Sequence, residues 1–221
     1  MKVILFGATG MVGQSVLTEC LRNPIIEEVL IIGRKSCEVK NDKIKEIIHN
    51  NFLDFAEIET AFSTYDACFY CLGVSSVGIS KEKYYDITYN YTLVVAEALS
   101  RQNKNMHMAF ISGAGTDSEE KSKTYWARVK GKAENVLKEY PFKSISLFRP
   151  AYIKALDDVK PSYFLSTYFD WLLSPVLNTF FPKYIITSRE LGLAMINSTF
   201  QTEKVKIIEN SNIQKLAKQK L

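Results

Sequence analysis

Histidine, cysteine and long apolar runs are scarce in this chain, and each scarcity removes a class of function. There are 2 histidines and 4 cysteines among 221 residues. His49 and His107 flank predicted strands and have no carboxylate or cysteine at ligand spacing, so no metal site is expected. Cys68 and Cys71 have the C-x-x-C spacing of a redox or metal motif. They sit, however, in Asp-Ala-Cys-Phe-Tyr-Cys-Leu-Gly, which reads as a buried strand, where residues three apart point to opposite faces. Both sulfurs are therefore expected to be core atoms. The apolar N-terminal run Lys2–Phe6 ends at Gly7 and is too short for a signal peptide. Nothing else reaches the roughly 18 to 20 clean apolar residues of a membrane span. The expected location is the cytoplasm, with the cysteines reduced.

Charge of one sign is also lacking. The formal net charge is +4, which suits a protein handling anionic small molecules and is too diffuse for a nucleic-acid surface. The basic tail at Lys215, Lys218 and Lys220 reads as a solvated helix end. There is no internal repeat and no low-complexity segment, and 221 residues suffice for one α/β domain.

What is present is a regular alternation of apolar runs and amphipathic stretches. Strands are predicted at residues 2–6, 28–32, 44–49, 66–72, 107–112 and 144–148, with helices at 10–22, 55–63, 81–102 and 122–139. This order predicts an α/β fold, a doubly wound parallel sheet covered on both faces. Such sheets read as nearly continuous apolar strands, as Val29–Ile32 and Ala109–Ile111 do here. Past Pro150 the pattern changes. Residues 151–162 read as a loop and Tyr163 to Asn178 as an aromatic-rich helix. Thr187-Ser-Arg-Glu190 reads as a capping box opening a helix toward Phe200, and 204–209 as a last strand. We treat 1–221 as one domain, with 151–221 a small C-terminal helical extension on the substrate side.

The most specific motif is Gly7-Ala8-Thr9-Gly10-Met11-Val12-Gly13 between the first strand and first helix. In that context Gly7 permits a tight turn, Gly10 lets backbone approach a pyrophosphate, and Gly13 lets the helix pack closely on the sheet. The helix N-terminus then offers N–H groups and a positive dipole end to phosphate. The second strand ends in Ile32-Gly33-Arg34-Lys35 rather than in an acid. An Asp or Glu there would accept from the ribose hydroxyls of NAD, whereas Arg34 can pair with a 2′-phosphate and Lys35 adds a second charge. NADP is therefore expected in preference to NAD.

On these residues the chain resembles the short-chain dehydrogenase/reductase superfamily, in particular its atypical members with a Gly-x-x-Gly-x-x-Gly loop. Within it the chain is similar to the Tat-interacting-protein-like group and to bacterial proteins labelled as sugar epimerases. The resemblance spans essentially the whole chain and is strongest from Met1 to Pro150. It implies a Rossmann fold in which Thr9, Met11 and Val12 join the three glycines at the cofactor. By the same resemblance Asp54 holds the adenine amino group, and Cys71-Leu72-Gly73 runs along the cofactor's ribose. Ser112 becomes the active-site serine, and Pro150 to Ile153 the segment that meets the nicotinamide amide.

The family's catalytic pair is a Tyr and a Lys four residues apart on one helix. The Lys lowers the phenol pKa and holds the ribose, and the Tyr passes a proton to the substrate. Here Lys130 matches the lysine, but the tyrosine position holds Trp126, whose indole is a donor without a useful acid function. Tyr125 is the candidate substitute. A spacing of five separates it from Lys130 by roughly 140° on a helix, against roughly 40° for four. It reaches the site only if it precedes the helix, so ordinary packing remains its rival reading. On the preceding helix, the family asparagine aligns with Thr88, and Asn90 is the alternative.

The stretch 163–186 carries more aromatics than one core contact requires, with apolar positions at 165, 168, 169, 172 and 176 on one helical face. Three uses compete: a lid over the cofactor crevice, a homodimer interface, and peripheral membrane contact through its Trp and Tyr residues. For the whole protein three functions are weighed. The first is an NADPH-dependent oxidoreductase on a small carbonyl, with Ser112, Tyr125 and Lys130 as its catalytic residues. The second is an NADPH-binding regulatory or scaffold protein, which the displaced tyrosine favours. The third is a nucleotide-sugar epimerase, for which few residues remain after Pro150.

Overall fold

The computed structural model describes residues 1–156 and 184–219. Seven parallel strands form one sheet in the order β3-β2-β1-β4-β5-β6-β9: β1 (Lys2–Phe6), β2 (Glu28–Gly33), β3 (Ile44–Ile48), β4 (Ala67–Tyr70), β5 (His107–Ile111), β6 (Ser144–Arg149) and β9 (Val205–Glu209). The doubly wound parallel sheet expected from the apolar runs is thus present. Its order reverses between β1 and β4, and a crevice opens at such a reversal beyond the carboxyl ends of the strands.

The strands are apolar throughout because both faces are covered. Alternate residues Ile4, Phe6, Cys68, Tyr70, Met108 and Phe110 point to one core. That core is closed by α3 (Tyr91–Gln102) and α4 (Tyr125–Glu139). Val3, Leu5, Ala67, Phe69 and Ala109 point to the other. That side is covered by α1 (Met11–Arg22), α5 (Ser188–Ser198) and α6 (Asn210–Ala217). Cys68 belongs to the first core and Cys71 packs against the second, which separates the two sulfurs as strand periodicity requires. Among the described residues all four cysteines are free and no cluster could hold a metal. His107 is buried, with its ring nitrogens on Ser144 Oγ (2.7 Å) and Ser198 Oγ (3.0 Å). Burial pulls its pKa down to about 4, so the ring is a neutral strut between β5, β6 and α5.

Several boundaries differ from the sequence reading for local reasons. The stretch expected as helix at 55–63 is a 3-10 helix at Glu59–Thr64. The long helix at 81–102 is α2 (Lys81–Tyr85), a π-helical turn (Asp86–Asn90) and α3 in succession. Helix α4 starts at Tyr125 rather than 122, because the Asp117 carboxylate captures the backbone N–H groups of Lys121 (2.6 Å) and Ser122 (2.5 Å) into a turn. Tyr152–Lys154, expected as loop, forms β7 and pairs in parallel with β8 (Ile185–Thr187). That partner lies some thirty residues on, so no local pattern announces it. The Thr187–Glu190 capping box is present on both sides: Glu190 N–H donates to Thr187 Oγ1 (3.1 Å) and Thr187 N–H to Glu190 Oε2 (2.8 Å). Residues 163–183 of the aromatic stretch lie outside the described residues. No helix among the described residues is long and apolar enough to cross a membrane.

One buried ion pair ties α4 to the sheet. Glu134 is fully buried and meets Arg149, at the end of β6, through Nε–Oε1 (3.0 Å) and Nη2–Oε2 (2.5 Å) contacts. Arg149 also donates to Ser118 Oγ (2.6 Å). Glu134→Ala leaves Arg149 with the more exposed Glu209 (3.4 Å) as its remaining ionic partner among the described residues, so it should lower the unfolding free energy in urea by about 3 kcal/mol, the low end for breaking a buried pair. The double substitution Glu134→Leu with Arg149→Leu should recover most of that loss.

Candidate dinucleotide-binding site

At the reversal of strand order, the chain turns from β1 into α1 through a backbone that only glycine can follow. Gly7 has φ +82°, and a Cβ there would lie 2.7 Å from the Cys71 carbonyl. A Cβ on Gly13 would lie 2.0 Å from the Gly7 oxygen. Gly10 is different: a Cβ would meet only the Gly7 oxygen, at 3.4 Å. Space beside Gly10 is therefore open on the outer side, where a phosphate chain would run. Gly10 is the N-cap of α1 and no side chain caps that end. Thr9, Met11 and Val12 sit on the same exposed or half-exposed turn.

Two adjoining cavities begin here. One, of about 320 Å³, is lined by Gly7, Thr9, Gly33, Arg34, Lys35, Phe52 and Leu72, among others. The other, of about 170 Å³, shares Gly7, Thr9, Arg34, Phe52 and Leu72 and continues to Gly10, Cys71, Gly73, Ile87 and Tyr91. Arg34 and Lys35 are exposed on the rim, and neither pairs with a carboxylate among the described residues. An open glycine cradle, an uncapped helix end and two cations without a carboxylate partner among the described residues together fit an anionic dinucleotide.

Asp54, read as the adenine contact, is not among the residues lining either cavity. Its Oδ1 accepts the Ala56 N–H (2.9 Å), and its carbonyl meets His49 Nε2 (2.7 Å), so the residue closes its own turn. Phe52, two residues earlier, is the buried side chain that walls both cavities. Ile87 and Tyr91, one turn apart across the π-helical segment, supply the far wall. Neither helix candidate occupies that wall. Thr88 is buried with an unpartnered hydroxyl, and Asn90 donates back to Asp86 Oδ1 (2.7 Å).

The inner end is built around Lys130. Its ammonium donates to the Ile111 carbonyl (2.8 Å) and lies 4.9 Å from the centre of the Phe110 ring. It also stands 4.0 Å from where a Cβ on Gly73 would be. Desolvation lowers its pKa to about 8, opposed by the negative charge of Glu134 one turn along α4. Ser112, at the end of β5, is buried and lies 2.9 Å from Thr116 Oγ1. Thr116 in turn donates to the Gly113 carbonyl (2.7 Å). With the Thr116 proton so used, Ser112 is the donor of that pair and keeps its lone pairs for another partner.

The tyrosine does not join them. Tyr125 is the first residue of α4, so the helix sets its direction, and its hydroxyl donates to the Lys81 carbonyl (3.1 Å). Its ring packs near Tyr84, Lys81 and Arg128, and burial and Glu82 push its pKa up, away from a catalytic phenol. The Tyr125 hydroxyl is thus engaged with α2 in this structure. Trp126 instead lies against the loop after β5, with ring carbons 3.7 and 3.6 Å from where Cβ atoms on Gly113 and Gly115 would be. Pro150 and Ile153 line neither cavity. The Pro150 carbonyl accepts the Ala114 N–H (2.8 Å), and Ile153 pairs with Ile186.

A family model, "NAD dependent epimerase/dehydratase family", matches residues 3–134, more than half of the sequence. The chain belongs to that family. Protein HTATIP2 of Rattus norvegicus is 29% identical over 153 residues, covering 67% of this chain and 61% of that protein. The aligned part therefore spans less than two thirds of the rat protein. The mitochondrial protein fmp52 of Emericella nidulans is 23% identical over 208 residues, 89% of this chain and 86% of its own. Among solved structures, a UDP-glucuronic acid 4-epimerase from Bacillus cereus with NAD superposes at TM-score 0.68 and 14% identity, covering 95% of this chain and 78% of the epimerase. The Bordetella bronchiseptica enzyme WbmF with NAD+ gives TM-score 0.71 at 12% identity, over 98% and 76%. At these identities the likeness to the two structures shows the fold.

The desolvated lysine makes a pH prediction. Below about pH 8 the Lys130 ammonium is charged in folded and unfolded chain alike, and its burial disfavours folding. Between about 8 and 10.5 the folded chain has released a proton that the unfolded chain keeps, so this group's contribution to stability rises with pH. Urea unfolding at pH 7 and pH 10 should show wild type gaining on Lys130→Met across that window. A lysine 13C resonance titrating near pH 8 should vanish in the variant.

Proposed function

We propose that the protein binds NADP(H), in preference to NAD(H), along the crevice from Arg34 to Lys130. The observation that carries this reading is the pair of exposed, unpaired cations at the end of β2, opening onto the same cavity as Gly7 and Thr9. Bound there, the dinucleotide would have its phosphates at the α1 N-terminus and its 2′-phosphate at Arg34 and Lys35. Lys130 would meet the nicotinamide ribose, and Ser112 would lie near the reacting end. The dinucleotide supplies a hydride donor or acceptor when bound.

Of the uses for that dinucleotide, we favour a binding role in which occupancy alters recognition of a partner. In support, the Tyr125 hydroxyl serves the Lys81 carbonyl and the family tyrosine position holds Trp126. The oxidoreductase reading keeps Ser112 and Lys130, and the solved relatives described as complexes with UDP-sugars motivate a third.

Calorimetry should find NADPH binding that weakens about 10- to 100-fold in Arg34→Ala, the worth of a charge-assisted pair. NADH should change by no more than about threefold in the same variant, since that ligand lacks the 2′-phosphate. Absence of NADPH binding by the wild-type protein would overturn the proposal. Steady NADPH oxidation with an aldehyde, ketone or quinone would transfer preference to the oxidoreductase, and Tyr125→Phe should then leave the rate unchanged. Nucleotide sugars should leave the melting temperature where it is.

A further inference from the structure

The loop bearing Arg34 and Lys35 is held by a residue from the neighbouring edge strand. Glu46 lies on β3 in register with Ile31 of β2. Both of its carboxylate oxygens are spent on the turn that follows β2. Oε2 accepts the Ser36 hydroxyl (2.7 Å) and Oε1 accepts the Cys37 N–H (2.8 Å). Ser36 Oγ accepts the Glu38 N–H in turn (3.0 Å). Glu38 adopts φ +62°, a left-handed conformation unfavourable to a side chain, so the turn needs outside support. These hydrogen bonds to the charged form also hold the Glu46 carboxyl below its ordinary range, opposing a desolvation that raises it.

The geometry points to Glu46 as a positioning residue for 2′-phosphate recognition, acting through Ser36 and Cys37 on Arg34 and Lys35. This rests on the NADP(H) reading above. Lys35, with Ala8 and Thr9, lines both the dinucleotide cavity and a second cavity of about 460 Å³ that Ser36, Cys37 and Glu38 also line, so the pinned turn walls the second cavity and adjoins the first through Lys35. Fixing that wall before the ligand arrives removes part of the ordering that two long cationic side chains and their loop must undergo on binding. The placement is unexpected on charge alone. An acid beside a phosphate site repels the ligand, so its presence is explained only if what it organises outweighs what it repels.

That opposition makes the test sharp. Binding of NADPH and NADH to wild type, Glu46→Ala, Glu46→Gln and Ser36→Ala is measured by calorimetry, with melting curves for each. The expected result is an NADPH affinity lowered about tenfold in Glu46→Ala with NADH nearly unchanged, because preorganisation is lost only at the 2′-phosphate. Glu46→Gln, whose amide oxygen accepts the Cys37 N–H and whose amide nitrogen can donate to Ser36 Oγ, should bind NADPH within about threefold of wild type or tighter. Ser36→Ala, an exposed change that leaves the fold intact, should lower NADPH affinity in the same direction by a smaller factor. Tighter NADPH binding in Glu46→Ala would overturn the inference, leaving simple repulsion. Equal losses for NADPH and NADH would overturn it too, leaving general damage to β3. Absence of NADPH binding in the wild type would instead defeat the underlying function.

Discussion

A side chain at position 7 would collide with the carbonyl of Cys71, and one at position 13 would collide with the oxygen of Gly7. These two close approaches bring the end of β1, the start of α1 and the loop after β4 within reach of one another, at the place where the sheet reverses its order. Everything proposed about the molecule hangs from that contact. If the turn were wider, the α1 N-terminus would no longer face the opening between Arg34 and Gly73, and the helix dipole would be directed at solvent.

The two ends of the crevice obey different electrostatics. At the β2 end the cations are exposed and screened, and their value depends on how little they must reorganise to meet a phosphate. At the β5 end Lys130 is half-buried against an aromatic ring and a backbone carbonyl, so its charge is costly to maintain and responsive to what binds nearby. Glu134 links this end to the core. It raises the affinity of Lys130 for its proton while sharing its carboxylate with Arg149, so the same buried acid serves helix anchoring and lysine charge.

At the position to which the resemblance assigns a tyrosine, this chain carries Trp126. Trp126 packs on the loop at Gly113 and Gly115, and Tyr125 is carried round to α2 by the helix that begins at its own position. Binding depends on backbone and charge at one end of the site, and proton transfer on one side chain at the other.

Much of this was legible without coordinates. Apolar runs on both strand faces announced a covered parallel sheet, and Gly7, Gly10 and Gly13 announced the tight turn from β1 into α1, because both follow from backbone geometry within a few residues. The five-residue spacing of Tyr125 and Lys130 already argued that they face apart once both are on a helix. What tertiary structure alone decided are contacts whose partners are distant in sequence. Phe52 rather than Asp54 walls the cavity, while one Asp54 carboxylate oxygen turns back to the Ala56 N–H. Tyr152–Lys154 is a strand because residues 185–187 lie beside it. Glu46 reaches Ser36 and Cys37 because of the register between the edge strand β3 and its neighbour β2. A strand's own residues dictate its alternation, but the neighbour that each side chain meets is set by register and crossover, which no local pattern encodes.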